Sequence, residues 1–398
     1  MKIKLFTFYY PFGNEEQFLH EEIIYLVNQG VQITVIPFEV KGEMRKLPSS
    51  VTVDKSMAEK LKQNSELKIY PLFQSFGAIL KALFQHRVRS LSGLRDVVGF
   101  AHHGRIIREW ASNNIQSGDL LYTYWFERIT YGLAEYLKKC KLNNILVSRA
   151  HGYDLYTERR KHNFIPFREK TFQRLDQIFT ISEDGEDYLV EKYGFQSKIQ
   201  IAYLGIKDHG ISEVSKQADL VRLVSCSSII PLKRLDLIAR VIKLFCEQNP
   251  SVNVEWNHFG EGNASEVEKE LLTLPSNLKV KLHGNIPNEK LISFYKNTYV
   301  DLFINLSTTE GLPVSIMEAI SFGIPVLAAD VGGVSEIVND STGILLKSTF
   351  DLEEANKGIT TILKGKDLRI STRKFFEENF VGERNYHSFY TQLKQLNS

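Results

Sequence analysis

The stretch Asp301–Val338, DLFINLSTTEGLPVSIMEAISFGIPVLAADVGGVSEIV, decides how this chain is read. Asp301 to Leu306 is a short apolar run ending in polar residues, the pattern of a strand buried in a parallel sheet. Gly311 and Pro313 rule out its continuation, and a proline is well placed at the first position of a new helix. From Ser315 to Phe322, Ile316, Ala319 and Ile320 fall on one helical face, and Gly323 and Pro325 stop it. Pro325 to Ala329 is a second apolar strand. Gly332-Gly333 then opens into a helix expected at Ser335–Val338.

Two glutamates stand in this unit, Glu310 in the loop and Glu318 about two turns into the helix, so that they flank one helix N-terminus. That terminus offers unpaired backbone N–H groups and the positive end of a dipole, which suit a phosphate. Carboxylates repel phosphates and accept hydrogen bonds from hydroxyls. A ligand with hydroxyls at both ends and phosphate between them is a nucleotide sugar. Glutamates at this spacing are common on surface helices, so the pair alone says little. The ordered string EGLPVSIMEA followed by GIPVLAADVGGVSEIV resembles the donor-site signature of family 4 glycosyltransferases of GT-B architecture. The resemblance implies an α/β fold of two facing Rossmann-like domains, each a parallel sheet flanked by helices, with the donor in the C-terminal one. It also implies that Gly311, Leu312, Pro313 and Val314 line the donor, that Glu310 holds sugar hydroxyls and that Glu318 holds the ribose.

At 398 residues the chain exceeds what one hydrophobic core usually serves. A net charge of +2 argues against a dedicated nucleic-acid binder. Cys140, Cys226 and Cys246 have no metal-ligand spacing, and a reduced, cytosolic compartment is expected. No apolar run approaches the roughly 20 residues of a membrane-spanning helix. The opening MKIKLFTFYYPFG reads as a first strand and not as a signal peptide.

In the N-terminal half, Lys2–Tyr9 as strand, a turn at Pro11-Phe12-Gly13-Asn14, a helix over Glu15–Gln29 and a strand over Val31–Pro37 make a βαβ opening. Gly13 lies at the carboxyl end of the first strand, where it is either a turn residue or part of a binding loop. The resembled family commonly has a double glycine there, facing the acceptor and the donor phosphates; this chain has Gly13 alone. Between Ile69 and Trp110, Lys81, Arg87, Arg89, Arg95, Arg105 and Arg108 interleave with Phe73, Phe76, Leu80, Leu83 and Phe84, around Asp96. This is either a basic amphipathic surface for an anionic membrane or a helical layer of the domain with a solvated face. His151 follows a predicted strand, Asn144–Arg149, and precedes Gly152 and Asp154, a position where α/β sheets place binding residues. In the resembled family such a histidine reaches the donor sugar or the acceptor hydroxyl, so His151 carries over as a catalytic candidate. Ser182 follows the strand QIFTI and is a family position or an N-cap.

The domains are expected at 1–203 and 204–379, with a C-terminal helix, about 380–398, packing back on the first. In SSIIPLKRLD (Ser227–Asp236), Lys233 matches the lysine of the family's diphosphate loop, while Ser228 stands where the family has arginine. Arg234 could supply the missing charge. Gly260 and Gly262 suggest a dinucleotide fingerprint, but Ser265 holds the third glycine position. In the family this loop packs by the nucleotide, and Ile286 lies near its base. The resemblance implies metal-independent transfer with retention, with His151, Glu310 and Lys233 as catalytic residues and no cofactor beyond a UDP- or GDP-linked donor. Asp301 has no aspartate two residues away that would make a metal motif. The implied acceptor is a glycan or a lipid-linked acceptor, carried at the inner membrane face, with possible peripheral membrane contact through 69–110. The alternatives are a non-catalytic subunit of the same fold, favoured by Ser228, and a sugar phosphorylase, which needs a second basic site for phosphate.

Overall fold

The computed structural model describes residues 1–13, 16, 18–64, 76–85, 88, 90–212 and 214–397. The expectations for Phe73, Arg87, Arg89, Asn14 and Glu15 lie outside them. The chain divides into one unit of Met1–Tyr203 with Tyr386–Ser398 and another of Leu204–Asn385.

The first unit is built on β1 (Lys2–Thr7), β2 (Gln32–Pro37), β3 (Thr52–Val53), β4 (Leu120–Thr123), β5 (Leu146–Ala150), β6 (Gln177–Thr180) and β7 (Ile199–Ile201), in the order β3-β2-β1-β4-β5-β6-β7. Every pairing is parallel. Side chains alternate across the sheet, so each face has its own core. Phe6 and Leu121 pack on one face with Trp110 and Ile107 of the helix Leu91–Asn114. Leu5, Tyr122 and Phe179 pack on the other with Phe389 and Leu393 of the last helix, Gly382–Leu396.

The second unit holds β8 (Leu220–Cys226), β9 (Asn253–Phe259), β10 (Leu278–Leu282), β11 (Leu302–Asn305), β12 (Val326–Ala329) and β13 (Gly343–Leu346), again all parallel, in the order β10-β9-β8-β11-β12-β13. β11 and β12 are buried along their whole length, as the apolar runs around them predict. In each sheet the strand order reverses direction once, between β1 and β4 and between β8 and β11. Ligands of open α/β sheets bind outside the carboxyl ends of such strands.

Three local expectations change. The first helix begins at Leu19 and not at Glu15, because Glu16 takes a left-handed backbone with φ 54° that a helix cannot include. The segment after Gly332 is a 3₁₀ helix over Gly332–Glu336 in place of a helix at Ser335–Val338. The helix after Pro313 starts at Val314, which places Glu318 little more than one turn in.

Candidate active site

In the second unit, the loops after β8 and β11 meet at the reversal point. Thr308 N–H donates to Leu232 O at 2.8 Å. Beside this contact Lys233 Nζ lies 2.6 Å from Glu310 Oε1. Asn305 Nδ2 donates to the same oxygen at 3.2 Å, so the carboxylate is held from two sides. Glu310 is only 6% exposed. It is thus a partly desolvated pair at a strand end, the position from which an ammonium can turn to a ligand phosphate.

Pro313 caps the helix Val314–Ser321 from a β backbone, and its carbonyl takes the N–H groups of Ile316 and Met317 at 3.1 and 3.3 Å. The N–H groups of Val314 and Ser315 belong to the open first turn, directed outward at the positive end of the helix. Leu312 is buried below them and Gly311 O accepts from Gly333 N–H at 2.9 Å.

Glu318 accepts from Asn288 Nδ2 at 2.6 Å. Burial pushes its carboxyl up from 4.5 to about 7, against the opposing pull of that hydrogen bond. The neighbouring groups include Cys226 at the end of β8, whose thiol burial raises to about 12, with Glu318 raising it further and Lys233 opposing. Tyr295 also lies within reach, fully buried, with a hydroxyl that has no hydrogen-bond partner among the described residues. Asn288 and Tyr295 share the helix Asn288–Asn297, and Cys226 ends β8. The sequence does not assign them to the site because no spacing ties that helix or that strand to Glu318. Strand adjacency brings them together.

The glycines have a packing reason. Gly260 and Gly262 carry φ of +140° and +151°, and a Cβ on either would sit 1.8 Å from Ser227 O or 2.2 Å from Ile229 O. They let the loop after β9 zip onto the loop after β8, through Ser227 N–H to Phe259 O and Ile229 N–H to Glu261 O at 2.9 and 2.8 Å. A dinucleotide fingerprint is not needed to explain them. Gly332, with φ +56°, does the same for the loop carrying Glu310, whose carbonyl would lie 2.0 Å from an added Cβ. Gly332→Ala should therefore cost at least about 1–2 kcal/mol from the left-handed backbone alone. A urea titration of the variant checks this; a loss below half of that range would show that the loop yields freely.

The remaining residues fall into place around this centre. Ser228 is exposed and Ile286 half-buried. Arg234 has another task than the expected phosphate contact. Its Nε and Nη2 donate to the carbonyls of Leu306 and Ser307 at 2.5 and 3.3 Å, and its guanidinium lies 5.1 Å over the Phe350 ring. Lys233 is therefore the cation that faces the Glu310 centre.

In the first unit, His151 follows β5 and is 6% exposed. Its ring lies 4.6 Å from those of Tyr124 and Trp125, both at 45°. Its backbone N–H donates to Asp154 Oδ1 at 2.9 Å, and its Nδ1 is 3.9 Å from Asp154 Oδ2. Neither ring nitrogen has a hydrogen-bond partner among the described residues. Burial works to raise the Asp154 carboxyl, but bonds from His151 and the Phe126 N–H hold it below its ordinary value. Asp154 is therefore a charged anchor for the loop.

The sequence also missed Glu16. Its carboxylate accepts the N–H groups of Phe8, Tyr9 and Tyr10 at 3.0, 2.8 and 2.7 Å, and Trp125 Nε1 at 2.5 Å. It fastens the loop after β1 to the aromatic residue beside His151. Gly13 lies in that loop at φ +67°, its N–H bonded to Glu43 O at 3.0 Å and its carbonyl to Arg45 Nε at 2.9 Å. Ser182 is an N-cap, accepting from Gly185 N–H at 3.1 Å.

Two parallel sheets flanked by helices, each with one reversal of strand order, are the α/β architecture of the GT-B fold, and solved glycosyltransferase structures share it over the whole chain. Residues 189–379 match the family model described as glycosyl transferases group 1. The chain is 27% identical over 214 residues to the O-antigen biosynthesis glycosyltransferase WbnH of Escherichia coli, covering 51% of this chain and 56% of that one. It is 24% identical over 166 residues to the phosphatidylinositol N-acetylglucosaminyltransferase GPI3 subunit of Saccharomyces cerevisiae, covering 41% and 36%. The chain spans about half the length of the curated relatives it matches. In fold it is similar to Anabaena HepE, solved in complex with UDP-glucose, with a TM-score of 0.65 at 16% identity over 99% of this chain and 100% of that one.

Proposed function

We propose that the protein is a retaining, metal-independent family 4 glycosyltransferase. It moves a sugar from a UDP- or GDP-linked donor to a glycan or lipid-linked acceptor in the assembly of a surface polysaccharide or glycolipid. The observation that carries this reading is the Lys233–Glu310 pair set beside the open helix N-terminus at Val314, with Glu318 buried behind it. A nucleoside diphosphate leaving group gains negative charge as the glycosidic bond breaks, and Lys233 and the Val314 and Ser315 N–H groups stabilise it. Glu310, released by Lys233, accepts sugar hydroxyls, and Glu318 accepts those of the ribose. The buried His151 nitrogens, which have no hydrogen-bond partner among the described residues, serve a hydroxyl of the sugar or acceptor. Relatives named for O-antigen and phosphatidylinositol glycosylation support the acceptor class, and the HepE complex supports a UDP-sugar.

The acceptor reading includes a membrane surface on the cytosolic side. Leu80, Phe84, Leu91 and Leu94 are exposed, 50%, 88%, 78% and 37%, on the helices Phe76–Gln85 and Leu91–Asn114, together with Lys81 and Arg95. The rest of the longer helix serves the fold: Ile106, Ile107 and Trp110 are core, and Arg105 pairs with Glu109, an acid the charge pattern must include. No helix among the described residues is long and apolar enough to cross a membrane. One observation favours a second reading, a non-catalytic GT-B subunit: with Ser228 exposed and Arg234 turned to carbonyls, Lys233 is left to face a diphosphate without either.

A thermal-shift titration with UDP, GDP and their sugar conjugates tests the proposal, on wild type, Glu318→Ala and Glu318→Gln. A ligand at a hundred times its Kd stabilises the folded state by about 2.7 kcal/mol. One base class should raise the wild-type Tm and lose that effect in Glu318→Ala. The pH dependence has a definite sign. A carboxyl raised to about 7 favours the protonated folded state, so its stabilisation is complete below about 4.5 and is lost as pH rises through 7. A ribose diol binds the ionised form, so the nucleotide-induced shift should grow between about pH 6 and pH 8 in wild type and stay flat in Glu318→Gln. No stabilisation by any nucleotide at millimolar concentration would sink the donor site. Binding without donor turnover in the presence of membrane extracts would select the non-catalytic reading.

A further inference from the structure

The first unit contains a cavity of about 390 Å³ that the donor chemistry does not use, between the start of the helix Leu91–Asn114 and the segment after His151. Its size is that of a small-ligand site. Arg95, Arg128, Arg160 and Lys161 line it, with His162 beside them. Two carboxylates face these four cations. Asp96 lines the cavity and approaches His162 Nε2 at 3.9 Å. Glu127 caps the helix Arg128–Cys140 and is shared, pairing with both Arg160 and Arg128. One carboxylate thus serves two guanidiniums, and the cavity keeps a net positive charge.

Two of these cations are held at a cost. Burial lowers Arg128, and burial together with nearby Arg168 lowers Arg160 to about 10. An anion in the cavity would relieve both. The walls also supply Tyr153, whose ring lies 4.0 Å under the Arg160 guanidinium, and Phe100, 5.5 Å from that of Arg128. These rings fix planar donors in place, the arrangement that suits bidentate recognition of phosphate oxygens.

We infer that this cavity binds the phosphate or diphosphate group of the acceptor, held by Arg95, Arg128, Arg160 and Lys161. The assignment rests on the glycosyl-transfer reading, and it gives the acceptor a chemistry: a phosphorylated carrier, with its glycan free to extend past His151, whose loop forms one wall. A soluble sugar phosphate and a lipid-borne diphosphate present the same anion. The surroundings favour the lipid-borne form. Leu91 and Leu94 stand exposed in the first turn of the helix that carries Arg95, and Phe84 and Leu80 on the helix before it. An apolar rim beside a cationic pocket matches a molecule with an anionic head and an apolar tail.

The test uses the full chain and two exposed cations whose removal should leave the fold intact. Inorganic diphosphate is titrated calorimetrically into wild type, Arg95→Ala/Lys161→Ala and Lys233→Ala, and the nucleotide-induced Tm shift is recorded on the same samples. The expected result is diphosphate binding at least tenfold weaker in Arg95→Ala/Lys161→Ala, with its nucleotide shift unchanged. Diphosphate binding that survives in that variant but disappears in Lys233→Ala reports the donor site and overturns the proposal. A nucleotide shift with no diphosphate binding to the cavity overturns the proposal and leaves the transferase reading standing. Diphosphate binding with no nucleotide shift removes the transferase reading, and the acceptor assignment falls with it. A second arm separates the sources, by sedimentation with phosphatidylcholine vesicles that carry a polyprenyl diphosphate or the parent polyprenol. Retention on the first alone, lost in Arg95→Ala/Lys161→Ala, supports the lipid-borne acceptor. Diphosphate binding in solution without vesicle retention supports the pocket with a soluble phosphorylated acceptor and overturns the lipid-borne one.

Discussion

Glu22→Ala should destabilise the first unit by about 3–5 kcal/mol, because it leaves the Arg149 guanidinium buried with its carboxylate gone. Both side chains are essentially inaccessible, and they pair directly across the sheet face, Glu22 from the helix Leu19–Asn28 and Arg149 from β5. Tyr122 OH donates to the other Glu22 oxygen at 3.0 Å. Phe389 lies 4.3 Å from the guanidinium and joins the last helix to the same charge. Urea unfolding measures the loss, and amide exchange should show 386–397 opening first, since the helix Gly382–Leu396 loses the anchor of its ring. A companion variant separates mechanism from magnitude. In Glu22→Leu/Arg149→Met no charge remains to be desolvated, so most of the loss should return. A Glu22→Ala variant within about 1 kcal/mol of wild type would mean that water reaches Arg149, and the buried-pair account would fail. The pair also bears on the site. Arg149 lies two residues before His151 on the same strand edge, and its guanidinium is 6.0 Å from the Tyr124 ring that packs on His151.

The sheets were legible because both faces of a parallel strand are covered. Leu302–Asn305 and Val326–Ala329 are buried throughout, so apart from Asn305 their sequences are apolar without alternation and could be read directly. The order of strands was not in the pattern. It decides which loops meet, and it is what places Cys226, Asn288 and Tyr295 around Glu318. A thiol at the end of β8 and an amide and a phenol on one helix, Asn288–Asn297, carry no spacing that ties them to Glu318 in a linear reading. Glu16 shows the same limit from the other side. An acid between a turn and a helix reads as a helix start, whereas its left-handed backbone turns the carboxylate onto three consecutive N–H groups of the loop after β1. Gly260 and Gly262 were legible as glycines with a purpose. Their purpose is clearance between two loops, which depends on a neighbour far away in sequence and adjacent in the sheet.

Lys233→Ala should lower kcat for sugar transfer by about a hundred- to a thousandfold, the cost of removing one preorganised group that stabilises developing charge. On the proposed reading Lys233 is the side-chain cation left for this role, beside the Val314 and Ser315 N–H groups, because Ser228 stands where the resembled family has arginine and Arg234 is held by the Leu306 and Ser307 carbonyls. The geometry makes a second, sharper claim. Before the donor arrives, the ammonium is 2.6 Å from Glu310, so binding exchanges one partner of Lys233 for another. Glu310→Gln releases the lysine for the diphosphate and should tighten nucleoside diphosphate binding, while still losing transfer because the sugar hydroxyls lose a charged acceptor. The two substitutions should therefore fail to add in a double-mutant cycle on binding, with a coupling energy of about 0.5–3 kcal/mol for residues in contact. Lys233→Arg keeps the charge and should retain much more transfer than Lys233→Ala, which a loss of local structure would not allow. Turnover is followed by release of the nucleoside diphosphate, and binding by calorimetry on the same preparations. Additive effects in the cycle would show that the pair seen between Lys233 and Glu310 has no part in receiving the donor.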